Sequence, residues 1–517
     1  MKKIFTLLLV AGGCILLFNR CNDLELQPLD AITEEAFYQT SSDFKGAILA
    51  AYSSIQSFNG TSTENLGERA EWWKITLMAS DDVTFDDVNV SDPATNINMD
   101  NLNFLPTDVA FQSIFTHIYQ GIFRANLVLD KLTEENELTD AEKTAFEAEA
   151  KFLRGWFHFQ SYKLWGGQAP LALETRRDLS EIALANSTAD ATVDAIIADM
   201  QFAADNLPDT WDDANLGRAT SWAAKSYMGK TNLYAKRFPA ALTALQDVYD
   251  NGPYMLMSNY EDVFSYDFEN NSESIFELQY GSNSDDNGWV LDDNHSENFK
   301  ASQGIMRAWW QDASGARGAP GGGLGIYVPS ADLIAAFEDG DPRRVTNIYQ
   351  EGETYYAVGV AEPYEASWSP TGGTMRKYRG ENVAKMNPVN FAIDYNNERY
   401  FRYADLVLMY AEAIIETGGD PGTATNLINE VRSRSFPSGA AIPAGLSPAD
   451  LTDRLREERR VELAFEGHRL FDLVRWGIAE STFSALGKNF TMTGSGSIFP
   501  LPQSEIDRSG GVLTQVK

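Results

Sequence analysis

Apolar residues that recur every three to four positions are the feature of this chain that most limits its fold. This spacing puts apolar side chains on one face of an α-helix, and that face must be buried against another element. Clusters of Gly, Asn, Asp and Pro separate the segments. The segments predicted to be helical are 34–58, 111–132, 141–165, 193–207, 220–235, 239–249, 331–337, 403–417, 422–434 and 451–476. Strand-like alternation is confined to short stretches such as 274–280 and 354–360. We therefore predict a mainly α fold with a few short strands.

Two of the predicted helical regions have the residue pattern of paired helices. Small and aromatic residues alternate around Gly229 and Tyr234, and again between Tyr403 and Ala424. In tetratricopeptide-like units, Ala and Gly let two helices approach, while Tyr and Leu fill the groove between them. No strict 34-residue period runs through the sequence. The pattern predicts tetratricopeptide-like helix pairs as a scaffold, without a regular solenoid.

The charge balance excludes one class of partner. Asp and Glu number 74 against 41 Lys and Arg, so the formal net charge is −33. A surface this acidic repels a phosphate backbone, and we expect no nucleic-acid partner. The same charge does not repel a neutral ligand such as a sugar. The four His and two Cys have no metal-ligand spacing, so we predict neither a zinc site nor a disulfide framework.

The first residues have the pattern of a bacterial secretory signal. Lys2 and Lys3 precede an apolar run at 4–18 that is short for a membrane span. A cysteine after such a run can become an acylated N-terminus that holds the protein on a membrane. The small residues before Cys14 suit a lipobox, whereas Phe, Asn and Arg precede Cys21. From the residues alone either cysteine is a candidate, and a secreted protein without a lipid anchor is the alternative.

Two long loop-rich stretches are candidates for ligand contact. The stretch 80–108 is rich in Asp and Asn, and the stretch 281–328 carries tryptophans among Asp, Asn, Gly and Ser. Loops of this length are usually functional or disordered. Because indole rings are costly to leave in a mobile exposed chain, we predict ordered binding loops. The tryptophans are Trp289, Trp309 and Trp310.

Acidic pairs in the second loop raise the question of a metal. Asp285, Asp286, Asp292 and Asp293 supply the oxygen atoms that calcium prefers. A solvated acidic loop explains the same residues, and we predict no metal and no cofactor.

Motifs for catalysis are missing or incomplete. The sequence has no G-x-S-x-G, no H-E-x-x-H and no EF-hand loop. The run Gly229, Lys230 and Thr231 lacks the first glycine of a phosphate-binding loop and lies in a predicted helix. His158 stands among aromatic residues and is predicted to be packed. We predict a protein that is not an enzyme, although 74 acidic residues leave a glycosidase-like carboxylate pair as an alternative.

The most distinctive segment is 457–476, EERRVELAFEGHRLFDLVRW. Opposite charges recur in it at three- and four-residue offsets, as for Glu462 and Glu466 against Arg469, and Asp472 against Arg475. A catalytic interpretation would use the carboxylates. The structural interpretation, which we favour, is a helix held against its neighbours by arginine ion pairs.

This segment resembles the signature helix of the SusD/RagB family of Bacteroidota outer-membrane nutrient-binding lipoproteins. Other stretches resemble further family blocks in the same order, namely 21–28, 148–170, 217–220, 271–276, 340–343, 402–405 and 499–502. The resemblance therefore runs from Cys21 to the C-terminus. The stretch at 21–28 resembles the family's mature N-terminus, which favours Cys21 as the lipidated residue although its lipobox departs from the usual pattern.

The resemblance implies a domain organisation and a function. It implies a signal peptide at 1–20, an N-terminal region with tetratricopeptide-like helices at 21–270, and a C-terminal SusD/RagB region at 271–517. Family members bind oligosaccharides or peptides on a loop-rich face, without catalysis or cofactors. They lie lipid-anchored at the outer membrane, facing the cell surface, over a TonB-dependent transporter of the SusC type. A secreted glycoside hydrolase remains the alternative from another functional class.

Sugar recognition suggests which side chains contact such a ligand. Flat aromatic rings stack on the C–H faces of a sugar, while polar side chains bind its hydroxyl groups. We predict ligand contacts for Trp289, Trp309 and Trp310, with the adjacent Trp309 and Trp310 diverging and one facing inward. A second cluster is predicted at Phe85, Asp81 and Asp82. Core packing beneath the loop is the alternative for each tryptophan, and core packing is predicted for Trp72 and Trp73.

Overall fold

The computed structural model describes most of the chain after the N-terminal segment. The described residues are 37–59, 71–88, 94–177, 183–279, 313–320, 323–357, 360–378, 396–437, 439–492 and 496–516. The predicted signal peptide, Cys14, Cys21, the acidic pairs at 285–293, and Trp289, Trp309 and Trp310 lie outside these ranges. Within them, no helix combines the length and apolar character needed to cross a bilayer.

The described chain is mainly helical, as predicted. The helices are α1 Ser41–Asn59, α2 Glu71–Trp73, α3 Ala94–Asp100, α4 Val109–Leu132, α5 Asp140–Trp165, α6 Ala189–Asn206, α7 Ser221–Tyr234, α8 Phe238–Asn251, α9 Ala331–Ala336, α10 Pro342–Asn347, α11 Tyr403–Glu416, α12 Pro421–Ser435, α13 Pro448–Glu462, α14 Arg469–Arg475, α15 Ala479–Ala485 and α16 Gln503–Arg508. A π-helical turn, Lys74–Met78, follows α2 directly.

In the described residues, eight short strands form four two-stranded antiparallel sheets. The strands are β1 Val83–Phe85, β2 Ser274–Leu278, β3 Tyr327–Pro329, β4 Ile348–Tyr349, β5 Thr354–Ala357, β6 Val360–Pro363, β7 Thr374–Met375 and β8 Glu398–Arg402. The pairs are β1 with β3, β2 with β8, β4 with β7, and β5 with β6. The predicted strand at 354–360 is therefore a hairpin.

The long helices form a continuous packed series. Helices α1, α4, α5, α6, α7 and α8 each contact the next, and α8 contacts α11, which packs on α12 and α13. Local signals set the helix ends: Thr139 and Glu142 form a capping box at the start of α5. Gly229 lies where α7 meets α8, and a Cβ there would come within 2.6 Å of Leu245 Cδ2. Gly229 thus allows the close helix approach that its position in the sequence predicted.

One predicted helix is wrong. The segment 451–476 is not continuous, because α13 ends at Glu462 and α14 begins at Arg469. Between them Phe465 and Gly467 have φ angles of 64° and 74°, in the left-handed region that a right-handed helix cannot include. The other predicted helices are found with shifted ends.

The main apolar core joins both halves of the sequence. It runs from Phe44 on α1 to Leu513 near the C-terminus, and so includes residues of both predicted regions, 21–270 and 271–517. Trp72 and Trp73 lie in this core, as predicted. Two smaller clusters lie among the strands and loops. The sheets and loops therefore rest on a continuous helical scaffold.

Candidate functional site

The two loop-rich stretches singled out in the sequence meet in the structure. Strand β1 of the first pairs with β3 of the second, with Phe85 opposite Tyr327. Ser330 continues the contact, since its Oγ donates to the backbone oxygen of Asp81 over 2.7 Å and its N–H to that of Asp82 over 2.8 Å. These hydrogen bonds join segments 249 residues apart in sequence. We call the joined part, which is β1 and β3 with Asp81, Asp82 and Ser330, the loop base.

An ion pair joins the same two stretches a second time. The Arg317 guanidinium donates to both oxygens of Asp86, from Nε over 2.7 Å and from Nη2 over 2.9 Å. The Asp86 side chain is buried, while Arg317 keeps about a third of its side-chain surface. The hydrogen bond to Asp86 holds the pKa of Arg317 above its usual range. We call this pair, Arg317 with Asp86, the loop clamp.

Asp81 and Asp82 do not have the environment expected of ligand-binding residues. Both are buried, and their carboxylates bind arginines of the α13–α14 segment. Arg469 donates to both oxygens of Asp81, over 2.8 and 2.7 Å, and Arg460 Nε donates to Asp82 over 2.8 Å. Because both carboxylates are buried and bound by guanidinium groups, they anchor the loop base. Their predicted ligand contact stays a prediction.

The protein environment shifts the pKa values of Asp81 and Asp82 in opposite directions. Burial raises the pKa of Asp82, and the neighbouring Asp81 charge adds to this effect against the opposing Arg460. Burial also opposes ionisation of Asp81, but the hydrogen bond and charge of Arg469 outweigh it and lower its pKa. Two arginines thus hold two adjacent carboxylates at the loop base.

The third member of that predicted cluster has a different environment. Phe85 is half-buried and packs against the main core from the end of β1. It keeps some exposed ring surface at the joined loop base, so its predicted ligand contact stays a prediction. The predictions for Trp289, Trp309 and Trp310 concern residues outside the described ranges.

Behind the loop base, the turn after α13 is held by a buried charge network. Arg402, at the end of β8, donates to Glu462 Oε1 over 2.8 Å, to Glu273 over 3.1 Å and to Glu466 over 2.7 Å. Arg343 Nη1 lies 3.0 Å from Glu462 Oε2. The α13–α14 segment is thus held by ion pairs from neighbouring elements, as the structural interpretation of its charges predicted.

One of the predicted ion pairs within this segment is found and the other is not. Asp472 does pair with Arg475, over 2.8 Å. The predicted pairing of Glu462 and Glu466 with Arg469 is wrong, because both glutamates bind Arg402 while Arg469 binds Asp81. The break in the helix turns these side chains to different sides.

These arginines keep Glu462 ionised although it is fully buried. Burial raises its pKa, but the charges of Arg434, Arg402 and Arg343 outweigh burial and hold the pKa well below the usual range. Nearby, burial lowers the pKa of Lys377 to about 8 against the opposing charge of Glu466.

A second part of the network ties the helices together. Asp405 on α11 accepts from Lys230 on α7 over 2.7 Å and from Arg459 on α13 over 2.9 Å. Arg459 also binds Asp472 on α14. The run Gly229, Lys230 and Thr231 therefore lies inside the helical core, as predicted, and Lys230 neutralises a buried carboxylate.

Metal binding and histidine chemistry each require a particular arrangement of side chains. No group of three or more His, Cys, Asp or Glu in the described ranges is placed to hold a metal ion. His158 is buried, and its Nε2–H donates to the Ala172 carbonyl over 3.1 Å. Burial lowers the pKa of His158 to about 4, so it is neutral at physiological pH, as a packed residue.

A cleft of about 560 Å³ lies between α9, α12 and α13 and borders the loop base at Arg460. Its lining has no aromatic ring for a sugar to stack on. Its charged groups already bind one another, as Arg432 binds Glu338 over 2.8 Å and Arg454 binds Glu457 over 2.8 Å. We therefore place the candidate site at the joined loops, where β1, β3 and the loop clamp meet.

The sequence did not reveal the loop clamp. Arg317 is an isolated arginine in a glycine-rich stretch, and 231 residues separate it from Asp86. No local spacing marks a pair this distant. The only signal was that both residues fall in stretches already predicted to be binding loops.

Two sequence-family models match the chain. Residues 272–516 match that of the SusD family. Residues 51–233 match a SusD-like model described as starch-binding and associating with the outer membrane. Together the matches include β1, helices α4 to α6, helices α11 and α12, and the α13–α14 segment.

Individual proteins are similar over nearly the whole length. SusD-like protein P25 of Formosa agariphila is 27% identical over 489 residues, which cover 88% of this chain and 86% of the relative. A SusD-like protein of Bacteroides ovatus is 25% identical over 499 residues, covering 91% and 82%.

Solved structures share the fold. A SusD superfamily protein from Bacteroides vulgatus superposes with a TM-score of 0.75 at 25% identity, covering 93% of this chain and 99% of that one. A laminarin-binding SusD-like protein superposes with a TM-score of 0.74 at 25% identity, covering 92% and 99%.

Proposed function

The chain belongs to the SusD/RagB family, and from that membership we propose that it binds oligosaccharides at the cell surface without transforming them. It then delivers them to a TonB-dependent transporter of the SusC type in the outer membrane. One observation of this chain carries the proposal: β1–β3 pairing and the loop clamp join both predicted binding stretches into one base. A base fixed at two points favours preorganised ligand contacts.

The chemistry required is recognition alone. Trp289, Trp309 and Trp310 are proposed to stack on sugar C–H faces, with Phe85 at the edge of the same site. No bond breaks and no proton moves, so neither a general base nor a metal is needed. One of the similar solved structures is that of a laminarin-binding protein, which supports a neutral glycan as the ligand.

The N-terminal segment supports the proposed location. Lipidation at Cys21 would leave residues 22–36 between the lipid and the first described residue, Phe37. Two or more acyl chains hold a protein stably on a membrane. The match to a model described as associating with the outer membrane supports this location.

Calorimetric titration of the purified full-length protein tests the proposal. The probes are laminarin, soluble starch, xyloglucan and galactomannan. We expect at least one to bind, and W309A or W310A to weaken that binding about tenfold, which corresponds to about 1.4 kcal/mol. The matched control is W222A, since Trp222 is a half-buried indole on α7 whose ring contacts Lys225.

The alternatives give different results in the same experiment. Binding of casein-derived peptides with no binding of any glycan would identify a peptide receptor of the same family. Shortened glycan products that disappear on replacement of one Asp or Glu would identify a hydrolase. Either result contradicts the proposal.

A further inference from the structure

A small cavity lies between α2, α5, α7, β8 and the turn that joins α13 to α14. Its volume is about 20 Å³, whereas one water molecule needs roughly 10–15 Å³ of such space. None of the residues that form the loop base lines it. The cavity can therefore hold one ligand of about the size of water, at a place separate from the joined loops.

The side-chain amide of Gln160 lies on the wall of this cavity. Gln160 is 2% exposed, and its Oε1 has no hydrogen-bond partner in the described part of the chain. A buried amide oxygen without a partner is costly, because it has lost its hydrogen bonds to water. Since Oε1 is an acceptor, the group that satisfies it must donate a hydrogen bond.

Lys163 lies one turn further along α5 and lines the same cavity. Its Nζ lies 4.9 Å from the ring centroid of Trp72 and 4.7 Å from that of Phe471, and no carboxylate of the described residues lies within ion-pair distance. Burial and the charge of Lys230 lower the pKa of Lys163, against the opposing charge of Asp405. Ring faces attract the ammonium group but are poor hydrogen-bond acceptors. Its N–H groups therefore still need an acceptor.

Other charged groups on the wall have protein partners. Lys230 binds Asp405 over 2.7 Å, and Glu466 binds both Arg402 and Lys377 over 2.7 Å. Charges of both signs thus line the cavity, which favours a neutral occupant over an ion of either sign. A halide could accept from an ammonium group but could not donate to an amide oxygen, whereas water does both.

We propose that this cavity binds one ordered water molecule, which accepts a hydrogen bond from Lys163 Nζ and donates one to Gln160 Oε1. The water gives Lys163 the solvation that no carboxylate provides, and it satisfies the buried amide. Because no direct hydrogen bond joins the two side chains in the described structure, the water makes each of them depend on the other for its contribution to stability.

A double-mutant cycle of the full-length protein tests the bridge. The variants are Q160L, K163M and Q160L/K163M, and the unfolding equilibrium constant is measured by urea unfolding followed by circular dichroism. We expect the two substitutions to be non-additive by about tenfold in that constant, because loss of either partner already disrupts the bridging water. Additive effects overturn the proposal.

The matched control is the same cycle with K151M in place of K163M. Lys151 is also a half-buried lysine on α5, with its Nζ 3.8 Å from the ring centroid of Phe202, but it does not line the cavity. We expect Q160L and K151M to be additive. Equal coupling in both cycles overturns the proposal, since it would reflect loss of a lysine charge from the helix and not a shared water.

A crystal structure of the full-length protein grown in sodium bromide gives a second measurement that needs no variant to fold. We expect a single water peak within hydrogen-bond distance of Lys163 Nζ and Gln160 Oε1. An anomalous bromide peak in the cavity identifies an anion site and overturns the proposal, as does a map without an ordered peak there. The proposed glycan binding is independent of each of these results.

Discussion

Three guanidinium groups, from Arg402, Arg343 and Arg434, converge on the single carboxylate of Glu462. The main chain of Glu462 takes part as well, since its carbonyl accepts from Tyr260 over 2.8 Å. That carbonyl lies at the end of α13, where no helical N–H is left to satisfy it. At the residue scale, one glutamate therefore connects four other parts of the chain.

Replacing Glu462 with Gln should destabilise the protein strongly. The substitution removes a negative charge shared by three buried guanidinium groups, and breaking a buried ion pair typically costs about 3–5 kcal/mol. Urea unfolding followed by circular dichroism measures the loss. The control is E457Q, because Glu457 is largely exposed and pairs with exposed Arg454. We expect a change of about 0.5 kcal/mol or less there. Equal effects of both substitutions would contradict the role assigned to Glu462.

The turn between α13 and α14 decides what the charged segment can contact. In an unbroken helix, positions 462, 466 and 469 share one face, and their charges pair along the helix. The left-handed residues Phe465 and Gly467 interrupt that face. As a result, Glu466 reaches Arg402 while Arg469 reaches Asp81 at the loop base. At the element scale, the turn links the buried network to the candidate site.

Replacing Gly467 with Ala should weaken this turn. A Cβ there would lie 3.0 Å from Thr76 Oγ1 and 3.1 Å from Thr76 Cβ, in addition to the strain of a left-handed φ. We expect a loss of about 2 kcal/mol in unfolding free energy, of which about 1 kcal/mol is backbone strain. G487A is the control, since Gly487 has a φ of 70° but no atom within 4 Å of the added Cβ. Equal losses of unfolding free energy for G467A and G487A would show that the contact with Thr76 adds nothing to the effect of backbone strain.

At the scale of the whole molecule, buried carboxylates are paired with basic side chains and two buried histidines are neutral. The chain carries a net charge of −33, yet its buried carboxylates at Asp405, Glu462 and Asp472 each meet basic side chains. Burial lowers the pKa of His158 to about 4 and that of His468 to about 3, from an ordinary 6.5. Protonation of either would add a positive charge inside the fold.

Acidification should therefore destabilise the protein through its two buried histidines. Below pH 6.5 the unfolded chain binds protons at His158 and His468 that the folded chain does not, so unfolding free energy falls as pH falls. The slope approaches about 1.4 kcal/mol per pH unit for each histidine. Urea unfolding between pH 7 and pH 5 measures it, and H158Q should halve the slope. Equal stability at both pH values would contradict the prediction.

Much of the scaffold was predictable because its signals are local. Apolar spacing within one helix identified the long helices, and the same reasoning placed Trp72, Trp73 and Lys230 in the core. The charged segment was correctly attributed to ion pairs with neighbouring elements. The prediction that this segment is one continuous helix was wrong. Apolar periodicity does not show that a residue such as Phe465 adopts a left-handed backbone conformation.

The candidate site was predictable only in outline. The sequence indicated two loops rich in aromatic and acidic residues, but not that β1 and β3 join them. It offered Asp81 and Asp82 as ligand residues, but it did not show that arginines 378 and 388 residues away bind them.

What the sequence determined by itself is what depends on near neighbours: the helices, their caps, the acidic surface and the family blocks. The tertiary structure alone decided which of 74 acidic residues meets which of 41 basic ones. The physical reason is that a salt bridge acts over a few ångströms of space, whatever the distance along the chain. Packing of the helices brings Arg402 to Glu462 and Arg317 to Asp86, and so holds the two loops together.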